Sequence, residues 1–356
     1  MKKKLIMVDY IGNSSEDGNP IGHPIKVALD NKKLLDDFCK IEYLAPNNSR
    51  NKLNFDGKGL PYYAIRGKSG FYMLIRNYWI ELLNLHKVLK VFYESNTWFY
   101  NTDYVLFLWL IFRRKSKNKV LCSTYVNIPE DQLAFVKKIK KLLIRLASKK
   151  IDLLIYSNKD FNCKYTKTIY MPDFLYDSEK YSKYNTDIKK SKVISLGTIS
   201  EGNKEIIEMI EAFNESGYPL EIVGKFYDED LYHRALNIKK NNVIIRNEFI
   251  NDDLYCSLLA ESKYSILPYR EAAYKHKTSS VILESVFLKA IPIAPQFILD
   301  KNEISGIGYN SISELSKINL DYVDCNKYNY NELIKKKYLK AGYSEQLKIF
   351  LERGNG

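Results

Sequence analysis

The sequence predicts an α/β fold of two doubly wound, parallel-sheet domains in series. Three observations predict it. The 356 residues exceed what one hydrophobic core usually serves. Short apolar runs alternate with helically spaced stretches, and this alternation occurs twice. Between the two series, residues 171–192 carry Pro172, many charges and no clean period, the composition of an interdomain linker. The expected spans are a first domain at 1–170, the linker at 171–192, a second domain at 193–335, and a C-terminal helix at 336–356 that can pack back on the first domain.

In the first half, strands are predicted at residues 4–10, 41–44, 88–93, 120–124, 153–156 and 168–170, and helices at 24–38, 72–85 and 131–147. Residues 104–112 form the strongest apolar run, which ends at Arg113, Arg114 and Lys115. A spanning helix needs about 20 residues, so this one is expected to be a buried helix, with shallow contact to lipid as the alternative. In the second half, strands are predicted at 193–196, 220–223, 243–246, 264–267 and 291–294. The helices between them fall at 204–215, 228–238, 252–260 and from Ser279 or Ser280 onward. The tail, 330–353, reads as one or two amphipathic helices broken near Gly342.

Hydrophobic residues make up 46% and charged residues 27%, a globular balance without low-complexity runs. The net charge of +13 favours an anionic partner: a membrane surface, nucleic acid or a phosphorylated substrate. Nucleic acid is disfavoured because no recognised binding motif is present and aromatics do not interleave with the basic runs. Five dispersed cysteines without a C-x-x-C pair fit a reducing compartment and no zinc site. The amino terminus reads as a first strand rather than a signal peptide. The expected location is cytoplasmic, with peripheral attachment to the inner membrane face left open. Residues 132–150 put Leu133, Val136, Ile139, Leu142 and Leu146 on one helical face and seven lysines and arginines on the other. They read as a core-facing helix or as a membrane-surface helix; both hold if the apolar face packs inward and the basic face meets anionic lipid by charge.

The stretch 262–295 carries the chemistry. A buried strand, a polar loop broken by Pro268 and a helix start follow one another, and helix N-termini present unpaired N–H groups to anions. Thr278, Ser279 and Ser280 are placed to hold a phosphate. One turn on, Glu284 lies opposite the face that Val281, Ile282, Leu283 and Val286 would bury, where a carboxylate can accept ribose hydroxyls; the alternative is a capped helix with one solvated glutamate. After the first strand, the loop 11–23 with Gly12, Gly18 and Gly22 is too long for a dinucleotide fingerprint. It still occupies the carboxyl end of a strand, where ligands sit, and makes Gly22 and His23 candidates. No Ser-His-Asp or Cys-His constellation is legible, and no D-x-D doublet, so no metal is expected.

Val193-Ile194-Ser195-Leu196-Gly197, then Lys204 and a helix ending Glu211-Ala212-Phe213, resemble the donor half of a GT-B glycosyltransferase, most closely the family 4 type. Leu220 to Gly224, Pro268, Glu284 and Pro292 follow in the order of that family, and Ile151 to Ser157 is similar to its first-domain strand. The resemblance implies two Rossmann-like domains facing a cleft. It also implies a hexosyl transfer, with retention, from a nucleotide-diphosphate sugar, UDP-sugar being favoured, to a saccharide or lipid-linked acceptor, with no further cofactor. It gives Lys204 and Glu284 the catalytic roles, and Gly197, Thr198, Thr278, Ser279, Ser280 and Glu284 the donor contacts. Four positions depart from the pattern: Tyr125 stands at about the place where a first-domain histidine is usual, Ala290 where a glycine is usual, and two more bear on the donor site. Thr198 stands where an arginine is usual, leaving Arg246, Arg270, Lys275 and Lys277 as replacement cations, and His276 stands where the first of two glutamates is usual, with Glu271 as substitute. These departures keep a second reading open: a GT-B-shaped subunit without catalysis that stabilises a partner transferase. Assembly with a second copy of the chain is also open.

Overall fold

The computed structural model describes residues 2–20, 24–53, 56–65, 70–124, 133–157, 163–184, 189–274 and 279–353. They divide into two compact units, Met1–Asp173 with Lys340–Gly356, and Phe174–Leu339.

The first unit runs β1 (Lys3–Val8), α1 (Pro24–Leu35), β2 (Cys39–Pro46), α2 (Asn47–Leu53), β3 (Gly57–Leu60), α3 (Phe71–Glu94), β4 (Asn96–Thr102), α4 (Tyr104–Ile111), β5 (Val120–Thr124), α5 (Ala134–Ser148), β6 (Leu153–Tyr156) and β7 (Lys167–Tyr170). Its sheet is parallel throughout, in the order β3-β2-β1-β4-β5-β6-β7. The chain therefore starts mid-sheet, winds outward to β3, and returns through α3 to β4. Right-handed crossovers then place α3, α4 and α5 on one face and α1 on the other. The strand order reverses between β1 and β4, the switch point at which such sheets bind ligands.

Residues 88–93, expected as a strand, are the last turns of α3. Leu85, Val88 and Phe92 recur at helical spacing and are fully buried, so tertiary packing overrides the β-branched run. The strand comes next, at Asn96–Thr102, with Trp98, Phe99 and Tyr100 fully buried; its flanking asparagines and threonines hid it. The helix α5 also departs from expectation. Only Ile144, Ala147 and Ser148 are buried, whereas Leu133, Ile139 and Leu142 are exposed.

The second unit runs α6 (Ser178–Ser182), β8 (Lys190–Leu196), α7 (Ile206–Ser216), β9 (Leu220–Val223), α8 (Glu229–Ile238), β10 (Val243–Arg246), α9 (Asp252–Glu261), β11 (Ser262–Ile266), α10 (Glu271–Tyr274), α11 (Ser280–Phe287), β12 (Ile291–Pro295), α12 (Gln296–Asn302), β13 (Ile307–Tyr309) and α13 (Asn331–Leu333). Its parallel order, β10-β9-β8-β11-β12-β13, puts the switch point between β8 and β11. The bounds of β5, β6, β9 and β10 coincide with the sequence expectation. The stretch read as a linker contributes to this unit's core: Phe174 and Tyr181 are buried, Tyr181 with its ring 5.3 Å from Phe287.

The last helix, α14 (Lys340–Glu352), runs through Gly342 without a break and packs on α1. Ser344 Oγ donates to the Leu34 carbonyl at 2.7 Å, and Lys3 Nζ to that of Leu351 at 2.7 Å. No helix of the described residues is long and apolar enough to cross a membrane.

Candidate functional site

At the second unit's switch point, β8 ends in Gly197. Its φ of +92° is a conformation that side-chain-bearing residues rarely adopt, and a Cβ built there meets no atom within 4 Å. The turn therefore borders open space. The loop it opens is zipped to the loop after β11. Lys204 and Tyr269 form an antiparallel bridge, Glu205 N–H donates to the Pro268 carbonyl at 2.7 Å, and Arg270 N–H to that of Asn203 at 3.1 Å.

This zipping buries Lys204, which is 5% exposed and precedes α7 rather than opening it. Its Nζ donates to the carbonyl of Leu196, the last residue of β8, at 2.9 Å. Burial lowers its pKa to about 8. No carboxylate among the described residues pairs with it. A buried ammonium answered by one carbonyl is under-compensated, so the carboxyl end of the central strand presents a cation lacking a counter-charge.

Tyr269 joins the rest of the site. Its backbone bridges Lys204, its hydroxyl lies 2.9 Å from Ser279 Oγ, and its ring stacks on Tyr274 at 3.7 Å. Ser279 is the N-cap of α11, and its hydroxyl makes no capping bond to the helix backbone. Glu284 is 3% exposed, which corrects the expectation of a solvent-facing carboxylate. The helix α11 buries every residue from Ile282 to Phe287, because α9 and β12 flank it and Tyr181 packs on Phe287. The Glu284 carboxylate instead faces phenols. Burial, with this carboxylate next in effect, pushes Tyr255 well above its ordinary pKa, and Glu284 also contributes to the rise at Tyr269. Lys204, Ser279 and Glu284 are thus gathered around Tyr269. Neither Tyr269 nor Tyr255 is signalled in the sequence, because aromatics in apolar stretches read as core.

Thr198 and Glu271 are exposed, Glu271 opening the short α10, and Ser280 is half-buried in the first turn of α11. Neither arginine considered as a replacement cation stands alone. Arg246 pairs with Glu221 at 2.7 Å and Glu248 at 3.3 Å, and Arg270 with Glu208 at 3.1 Å and Glu205 at 3.7 Å. Gly22, His23, Lys275, His276, Lys277 and Thr278 lie outside the described residues. Among the described residues, no three His, Cys, Asp or Glu side chains gather as a metal site would need.

The first unit's switch point holds a group that the sequence did not single out. Asp9 follows β1 and is fully buried. Its Oδ1 accepts the N–H groups of Ile11 and Gly12 at 3.1 and 3.0 Å, fixing a turn in which Gly12 has φ +59° and no room for a Cβ beside Pro46. Burial raises the Asp9 pKa, and the paired Tyr43 and Tyr100 hydroxyls lie beside it. A cavity of about 800 Å³ lies away from both switch points, near the amino ends of β5–β7. Two of its cations have structural work: Lys115 pairs with Asp152 at 2.9 Å, and Lys119 Nζ caps the carbonyls of Phe350 and Arg353 at the end of α14.

The sequence matches no family model and no curated protein. Solved structures do match along the whole chain. A trehalose-6-phosphate protein from E. coli bound with UDP-2-fluoro glucose is 12% identical, with 99% of each chain covered and a TM-score of 0.67. A UDP-forming trehalose-phosphate synthase from Burkholderia xenovorans is 11% identical over 100% of both chains, with a TM-score of 0.67. Anabaena HepE in complex with UDP is 12% identical, covering 98% of this chain and 99% of that one, with a TM-score of 0.65. The shared architecture is that of GT-B glycosyltransferases, two parallel-sheet α/β domains. At such identities the likeness concerns the fold.

Proposed function

We propose that this chain is a family 4-like glycosyltransferase. In this reading it moves a hexosyl unit from a nucleotide-diphosphate sugar, UDP-sugar foremost, to a saccharide or lipid-linked saccharide acceptor. The reaction proceeds with retention, without a metal, and serves bacterial surface glycan or glycoconjugate synthesis at the inner membrane face. The observation that carries the reading is Lys204, a buried cation with no carboxylate partner among the described residues, at the switch point of a parallel sheet and beside a glycine turn that borders open space.

The chemistry follows from these groups. The bond between sugar C1 and the diphosphate oxygen breaks with its electrons on that oxygen, while the acceptor hydroxyl bonds to C1 on the same face and passes its proton to the leaving diphosphate. Charge therefore grows on the leaving diphosphate. Lys204 supplies a fixed cation there, in a poorly solvated place where such stabilisation is strongest. The amide groups opening α11 at Ser279 and Ser280 add donors, and Glu284 accepts from ribose hydroxyls once they displace its phenol neighbours. The UDP-2-fluoro glucose and UDP bound by two of the structural neighbours support the choice of base.

Thermal shift with UDP, GDP and their sugars tests the reading: a UDP-sugar should raise Tm, and indifference to every nucleotide would remove it. Lys204→Ala should cut turnover more than donor binding.

A second reading, a non-catalytic subunit that stabilises a partner transferase, is favoured by exposed Thr198 in the arginine position and by the carboxylate pairing of Arg246 and Arg270. Donor binding without hydrolysis or transfer, together with co-purification of a second transferase, would select it.

A further inference from the structure

The cavity of about 800 Å³ in the first unit is walled by the loops leading into β5, β6 and β7 and by the last turns of α14. Six of its side chains are cations, Lys115, Lys117, Lys119, Lys149, Lys167 and Arg353, against one carboxylate, Asp152. Part of that charge answers the structure. The helices α4, α5 and α14 end at this edge, each end carrying about half a negative charge, so with Asp152 roughly 2.5 negative charges face the six positive ones. Lys115 and Lys119 are engaged by Asp152 and by the end of α14, and Lys117 also has a partner. Lys149, Lys167 and Arg353 are exposed and make no ion pair among the described residues. Burial lowers the pKa of Lys119, and Lys3, Lys167 and Arg353 lower it further, opposed by Asp152; Lys167 and Arg353 therefore act on the same place. Clefts lined by one sign of charge concentrate ions of the other.

We propose that this cavity is a second anion site, which binds a soluble small molecule carrying linked phosphates through Lys149, Lys167 and Arg353. The arginine can clasp two oxygens of one phosphate, and the lysines act as point charges on the others. Tyr165 and Ile349, 54% and 41% exposed in the same wall, offer apolar surface to whatever the phosphates are attached to. A concave wall of this volume suits a small molecule. Single-stranded nucleic acid instead tracks a long basic groove, and a bilayer meets a protein across its protruding surfaces. The ligand joins the end of α5, the start of β7 and the end of α14, so its binding fastens α14 to the first unit's sheet. Every lining residue belongs to the first unit. The site therefore shares no residue with the candidate donor site around Lys204, and it stands or falls separately from the transfer reaction.

The test is calorimetric titration of the full chain with tripolyphosphate, with UDP present in excess to occupy a donor site, and hydrogen exchange of the same mixture. The expected result is one tripolyphosphate per chain, bound at least tenfold more tightly than inorganic phosphate and less tightly as salt is raised. Exchange should slow in residues 115–119, 149–153 and 346–353. The double variant Lys149→Ala with Lys167→Ala, and the single variant Arg353→Ala, change exposed positions. Each should lower the affinity at least tenfold with unchanged circular dichroism, whereas Lys204→Ala should leave it unaltered. If UDP itself fails to bind, the result stays readable, because the variants alone locate the anion. ATP in place of tripolyphosphate separates the two sources of such a ligand: tighter binding that is lost in Tyr165→Ser identifies a nucleotide, and equal binding a bare phosphate chain. Absence of binding, binding that survives both alanine variants, or binding abolished by Lys204→Ala would overturn the proposal. So would affinity of these side chains for poly(U) or phosphatidylglycerol vesicles but not for tripolyphosphate.

Discussion

A lysine whose ammonium is buried against a single carbonyl destabilises the folded chain at neutral pH. The cost at Lys204 is about 3 kcal/mol if its pKa falls from 10.5 to about 8. Its sign is definite. Below pH 8 the amine is charged in both folded and unfolded chains and the cost is present in full; as pH rises from about 8 towards 10.5 the cost is relieved. Lys204→Met should therefore raise Tm by several degrees at pH 7 in calorimetry while reducing glycosyl transfer by two orders of magnitude or more. A variant that loses both stability and activity would make Lys204 merely structural. Asp9 gives a second residue-scale expectation. Because burial raises its pKa, the folded chain holds that proton to higher pH than the unfolded one, and its contribution to stability falls as pH climbs out of the acid range. Asp9→Asn keeps an oxygen for the Ile11 and Gly12 amides and removes the charge. Denaturation series should show it at least as stable as the parent at pH 8, with a flatter pH dependence. Neither property was legible in the sequence: Lys204 stood out by resemblance, but its burial comes from the bridge to Tyr269, a pairing between residues 65 positions apart.

At the scale of elements, α11 and the loop before it act together through Tyr269. Tyr269→Phe removes the bond to Ser279 Oγ and one phenol beside Glu284, which should cost about 1 kcal/mol of stability and weaken UDP binding severalfold by calorimetry. Glu284→Gln should weaken it by roughly tenfold to a hundredfold, the worth of a charged hydrogen bond. Unchanged affinity in both variants would leave the end of α11 without a ligand role. The elements that were readable are those whose sequence pattern and packing agree. The strands β5, β6, β9 and β10 are short apolar runs closed by polar turns. The strand β3, with Gly57 and Gly59, carries almost no strand signal. The end of helix α3 is hard to read because Val88 and Val91 suggest a strand, although Leu85, Val88 and Phe92 keep a helical period. For α5 the periodicity puts Leu133, Ile139 and Leu142 on the core-facing stripe, whereas the structure leaves them exposed and buries Ile144, Ala147 and Ser148; which face meets a core is set by neighbours that no local window contains.

For the molecule as a whole, the double alternation of strands and helices was enough to place two parallel sheets in one chain, because handedness and the parallel crossover leave few other arrangements. The two reversals of strand order, β1/β4 and β8/β11, appear only once the sheets are assembled, and they locate the candidate sites more sharply than any motif did. The central claim is that the second unit's switch point binds the diphosphate of a nucleotide sugar. Hydrogen exchange measured by mass spectrometry, with and without a UDP-sugar, tests it most directly. The account predicts slowed exchange in the segments spanning Gly197 to Lys204 and Leu267 to Glu284, with little change in β12, β13 and the helices around them. Unaltered exchange in both segments under saturating UDP-sugar would contradict it.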